Sequence, residues 1–110
     1  MMSDAQDEAL ADGVMMALRR VIDPELGYNI VDLGLVYRVE IEDGAVTVAM
    51  TTTTRGCPAT DYLRGGAEAA VSSAPGVRSV AVALTYDPPW SPEMMSPKAK
   101  EHLGIGDGGW

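Results

Sequence analysis

Asp43-Gly44 stands between two stretches in which apolar and polar residues alternate, and this feature restricts the fold more than any other. Leu35, Tyr37, Val39 and Ile41 alternate with Val36, Arg38, Glu40 and Glu42, and Val46, Val48 and Met50 alternate with Thr47, Ala49 and Thr51. Both stretches read as half-buried strands. An Asp-Gly pair tolerates the left-handed backbone of a two-residue hairpin turn. Such a turn predicts Ile41 opposite Val46, Val39 opposite Val48 and Tyr37 opposite Met50, so that the apolar faces coincide. A slip of one residue would set an apolar face against a polar one, so pattern and turn chemistry select a single register.

The rest of the chain must cover that apolar face. Upstream, Leu10, Val14, Ala17, Leu18, Val21 and Ile22 recur at helical spacing. Asp4, Asp7 and Glu8 suit the positive end of this helix and Arg19-Arg20 its negative end. Pro24 enforces a stop near Ile22, and residues 23–29 read as a structured loop. Downstream, a second helix runs from Pro58 to about Ala74 with Tyr62, Leu63, Ala67, Ala70 and Val71, and Pro75-Gly76 ends it. Gly65-Gly66 within it predicts a close approach to the sheet or to another subunit. Val80, Val82, Leu84 and Tyr86 form a third strand whose other face, Ser79, Ala81, Ala83 and Thr85, is small-sided. It can lie parallel to a hairpin strand after the helical crossover. Ser91-Pro92 and Ser96-Pro97 each place a capping serine before a proline, and Gly104 is a stop for the short helix between. The expected architecture is α+β: a small mixed sheet, hairpin plus third strand, with its two main helices packed on one face. Residues 1–6 are expected to be a flexible leader, 7–105 one domain and 106–110 a flexible tail.

Charge and cysteine count narrow the function classes. Sixteen acids against eight bases give a net charge of −8, and the bases are scattered, which excludes the clustered positive charge that phosphate binding needs. No apolar run reaches the length of a membrane span and no signal peptide is recognisable, so neither nucleic acid nor membrane is an expected partner and the expected location is the cytoplasm. With one cysteine there is no intramolecular disulfide and no self-contained zinc or iron–sulfur centre built on several cysteines.

That cysteine, Cys57, lies in Arg55-Gly56-Cys57-Pro58, at or beside the start of the second helix. Unpaired backbone N–H groups and the helix dipole there favour a thiolate, Arg55 adds to the effect, and Asp61 opposes it. The competing reading is a buried, inert thiol. A cysteine–histidine pair would require His102, the sole histidine, to fold back from the tail. Asp23, Glu25 and Asp32 flank the loop before the hairpin. Their plain reading is turn chemistry; the functional reading is that this loop and the Thr51 to Cys57 segment meet at one end of the sheet. The threonine run, Thr51 and Thr53 included, reads by default as a strand end with solvated hydroxyls. Trp90 reads either as a lid over the core or as an anchor for a partner.

Taken together, Asp23-Pro24-Glu25, the run from Asn29 to Tyr37, the segment from Met50-Thr51 through Gly56-Cys57-Pro58, and Asp87-Pro88-Pro89-Trp90 resemble the PaaD/SufT-type, MIP18-like family of metal–sulfur cluster assembly factors. The resemblance covers roughly residues 10 to 105. It implies the iron–sulfur cluster assembly domain-like sandwich and a role in iron–sulfur protein maturation as a carrier or adaptor, not a turnover enzyme. It marks Cys57 as the cluster-binding candidate, with Asp23, Glu25, Asp32, Thr51, Thr53, Arg55, Gly56 and Pro58 around it and Trp90 as partner-binding candidate. Implied cargo is iron or an iron–sulfur cluster, transiently held; implied partners are the assembly machinery and client apo-proteins. A homodimer is one way to bring a second thiolate. The PaaD branch continues into a cysteine-bearing tail that is absent here, so the shorter SufT-like branch fits better. The alternatives are an adaptor module in which Cys57 is structural and, of lesser weight, a thiol-dependent enzyme.

Overall fold

The structure, a computed structural model, describes residues 4–53 and 59–104. Helix α1 (Asp4–Leu18) is followed by two short strands, β1 (Ile22–Asp23) and β2 (Tyr28–Asn29), then by the hairpin strands β3 (Val36–Glu42) and β4 (Ala45–Met50). Helix α2 (Ala59–Ser72) leads to β5 (Ser79–Leu84), a 3-10 turn (Pro92–Met94) and α3 (Pro97–His102). The main sheet has the order β3-β4-β5, with β3 antiparallel and β5 parallel to the central β4. The two main helices lie on one face. Val46, Val48 and Met50 of β4 are buried there with Val14 and Leu18 of α1 and Leu63, Ala67 and Val71 of α2, while Ala45 and Thr47 point to the open side.

The hairpin turn has the expected backbone, with Asp43 at φ 50° and Gly44 at φ 82°. Ile41 pairs with Val46 and Val39 with Val48 as the pattern requires. The expected Tyr37–Met50 pair is replaced by Val36–Met50, because the ladder is irregular between Val36 and Arg38. The extra residue in such a bulge is unpaired and re-aimed. Here it is Tyr37, whose hydroxyl donates to the Pro88 carbonyl at 2.8 Å. Alternation alone does not reveal a bulge at a strand's end.

Several other expectations need correcting. Helix α1 already includes Asp4, inside the expected leader, and ends at Leu18, short of Ile22. Arg20 N–H reaches Ala17 O and Val21 N–H reaches Leu18 O, a tightened last turn that swings Val21 inward and leaves Ile22 45% exposed. Strand β5 ends at Leu84, so Tyr86 lies beyond it. Of the paired glycines in α2, Gly66 is in ordinary contact with Val21, and a Cβ on Gly65 would meet nothing within 4 Å, so Gly65 marks no close approach within the described residues.

The two serine–proline pairs behave differently. Ser96 caps α3, its hydroxyl accepting from Ala99 N–H at 3.2 Å, whereas Ser91 makes no side-chain cap bond. Gly104 ends the segment at φ 77°. Ser96→Ala is therefore expected to cost about 1 kcal/mol of unfolding free energy and Ser91→Ala only a few tenths. Urea titration of the two variants checks this, and equal costs would remove the cap from the account.

Candidate functional site

Strand β4 continues past Met50 into Thr51, Thr52 and Thr53, and this carboxyl end of the sheet is where the sequence-selected residues collect. Thr51 N–H donates to Leu35 O at 2.8 Å, which carries the sheet-like pairing one step beyond the ladder. Contrary to the expectation of solvated hydroxyls, Thr51 and Thr52 are buried. Thr51 Oγ1 lies 3.4 Å from Thr52 O, and Thr52 Oγ1 lies 2.8 Å from the hydroxyl of Tyr86. The run thus passes under the chain that follows β5, and of its described threonines only Thr53 emerges part-way.

The loop between β1 and β2 is built by Asp23. Its carboxylate, 2% exposed as a residue, accepts from Glu25 N–H at 2.7 Å and Leu26 N–H at 3.2 Å, while its own carbonyl accepts from Gly27 N–H at 2.7 Å. This is turn chemistry of the kind an aspartate before proline supports. Its consequence is to project Glu25, on an exposed tip, toward the end of β4. Glu25 Oε2 accepts from Thr53 Oγ1 at 3.2 Å, so the loop and the threonine segment do meet. Asp32 sits in the next turn, where Asn29 holds it twice: Asn29 Nδ2 donates to Asp32 Oδ2 at 2.8 Å, and Asp32 N–H donates to Asn29 Oδ1 at 2.9 Å. The Asn29-x-x-Asp32 spacing was the available signal for this pair.

The chain after β5 returns to clamp that turn. Trp90 Nε1 donates to Leu33 O at 2.7 Å, and Ser96 N–H donates to Asp32 O at 2.7 Å. Trp90 is half-buried against the core in this arrangement. The His102 ring packs on Tyr28, with centroids 4.7 Å apart. Arg55, Gly56, Cys57 and Pro58 lie outside the described residues, between Thr53 at the end of β4 and Ala59 at the start of α2. In the first turn of α2, Thr60 Oγ1 is buried with no hydrogen-bond partner among the described residues, a feature sequence reasoning missed. Asp61 in the same turn lies 3.8 Å from Arg64.

Among the described residues, no three His, Cys, Asp or Glu side chains come together as a metal site. A hollow of about 650 Å³ on the open face of the sheet is lined by Val36, Tyr37, Ala49, Ala83 and Met94 among others, and its described lining includes none of the candidate site residues. No helix among the described residues is long and apolar enough to cross a membrane.

A family model described as "Iron-sulfur cluster assembly protein" matches residues 11–84, which takes in the second half of α1, both loops, the hairpin, α2 and β5. This chain belongs to the iron–sulfur cluster assembly protein family. Within that family it is 43% identical over 100 residues to the Fe-S protein maturation auxiliary factor YitW of Bacillus subtilis (strain 168), covering 90% of this chain and 98% of that one. It is also 43% identical to the Fe-S protein maturation auxiliary factor SufT of Staphylococcus aureus (strain USA300), over 77% of this chain and 98% of the relative. The crystal structure of a domain of unknown function, DUF59, from Bacillus anthracis superposes with a TM-score of 0.84 at 40% identity, covering 94% of this chain and all of the other. The assembly-family fold is therefore the α+β arrangement expected from the sequence.

Proposed function

We propose that this chain serves iron–sulfur protein maturation by letting the Cys57 thiolate hold iron or a cluster transiently as cargo and release it to client apo-proteins. The observation that supports this most is the Thr53–Glu25 hydrogen bond, which ties the acidic loop to the last described residue before the cysteine segment. Family membership and the names of the two maturation factors point the same way.

The chemistry follows from scarcity of ligands. A soft thiolate binds iron well, but a stable tetrahedral iron–sulfur centre takes about four protein ligands. One cysteine supplies one of them, so the remaining positions are open to the donor scaffold and then to the client. Cargo leaves as client thiolates replace the Cys57 sulfur. The start of α2 provides backbone N–H groups that favour the thiolate between transfers.

Anaerobic incubation with ferrous iron and sulfide, followed by transfer to an apo-enzyme that needs an iron–sulfur cluster, tests the proposal. Cys57→Ser is expected to lose bound iron and to slow client activation at least about tenfold, the scale of losing a partner at a metal site. Equal iron uptake and equal client activation by both proteins would end the ligand role. The adaptor reading would then take its place.

A further inference from the structure

The two edges of the main sheet are built in opposite ways. At the β3 edge the chain carries Arg38, Glu40 and Glu42, an Arg38–Glu40 ion pair at 2.8 Å and the irregularity beside Tyr37. Charges and bulges of this kind keep an edge from pairing with other chains. The β5 edge, Ser79-Val80-Ala81-Val82-Ala83-Leu84, has no charge, no proline and no bulge.

Which backbone groups that edge offers can be deduced from the bonds on its inner side. Ser79 N–H reaches Gly44 O and Thr85 N–H reaches Met50 O, so the odd-numbered residues direct their backbone groups toward β4. By alternation, Val80, Val82 and Leu84 direct theirs outward. The side chains of the same three residues point to the helix-covered face, yet they are only half-buried, whereas Val46, Val48 and Met50 one strand away are fully buried. The core is thus incomplete along this edge.

We propose that β5 pairs antiparallel with β5 of a second copy, extending the two sheets into one about a two-fold axis perpendicular to the sheet at Val82. A two-fold antiparallel pair that keeps both helix layers on one side must oppose residues of like parity, and hydrogen-bonded pairs must be outward-facing ones. Val82 opposite its own copy, with Val80 opposite Leu84, satisfies both conditions and makes about six main-chain hydrogen bonds. Ala81 then faces Ala83 on the open side.

Charge selects this partner over an unrelated extended peptide. Arg78 precedes β5 and Asp87 follows it; both are exposed, and among the described residues neither makes an ion pair. In the proposed register Arg78 falls opposite Tyr86 of the second copy, beside its Asp87, at both ends of the ribbon. A chain of net charge −8 repels its copies elsewhere, so a neutral strand bracketed by complementary charges is the surface on which two can meet. Because the strands run in opposite directions, the carboxyl ends of the two β4 strands diverge. The inference is independent of the reading given to Cys57.

Sedimentation equilibrium on the full chain tests it. The wild type is expected to show a concentration-dependent shift from 11.6 kDa to twice that mass. Val82→Pro removes only an outward N–H, which an edge strand tolerates, and is expected to raise the dissociation constant at least about a hundredfold. Arg78→Glu is expected to raise it about tenfold, with Arg78→Glu/Asp87→Arg returning it to within about threefold of wild type. A wild type that stays at 11.6 kDa up to about 1 mM overturns the proposal, including the case in which the edge serves a strand of another protein. So does a dimer that Val82→Pro leaves intact. If Val82→Pro fails to fold by circular dichroism, the charge swap decides: no recovery in the double variant overturns the register.

Discussion

Gly34→Ala is expected to cost about 3–4 kcal/mol of unfolding free energy, a large share of the stability of a domain this size. Two effects add. Gly34 has φ 80°, a conformation that costs a side-chain-bearing residue about 1–2 kcal/mol. A Cβ there would also collide with the Met94 carbonyl oxygen and lie 2.8 Å from Met94 C and Cβ. The obstacle is backbone, and it belongs to the segment that clamps the Asn29–Asp32 turn, so relief requires that segment to lift. Gly27→Ala provides the comparison, since Gly27 has φ 69° but nothing within 4 Å of the added carbon. It is expected to lose only about 1 kcal/mol. Urea titration of both variants, with the anchoring of Trp90 followed by fluorescence, separates collision from conformation. Equal losses would show that the contact with Met94 carries no weight.

The second large effect is expected at Asp23. Replacing it by alanine leaves the N–H groups of Glu25 and Leu26 without their acceptor in a part-buried turn, and about 2–3 kcal/mol should be lost. Asp23→Asn keeps a carbonyl oxygen at the same place and should lose about half as much. Hydrogen exchange is the sharper measurement, because the Glu25 and Leu26 amides should lose protection in the alanine variant before the β4 amides do. If the loop reading is sound, client activation should also fall in Asp23→Ala, through Glu25 and Thr53. Unchanged exchange at the two amides would show that the loop is held by something other than this carboxylate.

Local chemistry made much of the fold readable. The Asp43-Gly44 turn and the alternation around it fix the Ile41–Val46 and Val39–Val48 pairs, and the proline and glycine signals bound α2 and α3. Where the reading slipped, a contact that the alternation of residue types does not encode had decided the outcome. Tyr37 leaves the ladder to reach Pro88, Thr52 is drawn under Tyr86, and Ile22 turns outward because the chain tightens after Leu18 to pair with β2. The partners of Tyr37 and Thr52 lie 51 and 34 residues away, and residue type alone does not announce them. The site divides along the same line. Asp23 as a turn-former was legible from its place before Pro24, whereas the approach of Glu25 to Thr53 spans 28 residues and only the folded chain reveals it.

The return of residues 88–96 across the Asn29–Gly34 turn has a consequence for biosynthesis. The bonds that steady Asp32 and Leu33 come from Ser96 and Trp90, more than fifty residues later. A chain emerging from the ribosome can therefore zip its hairpin and close the local Asp23 turn early, but the Asn29–Gly34 turn cannot settle until residues 88–96 have cleared the exit tunnel. The Asn29–Gly34 turn is in this way among the last parts of the fold to be fixed.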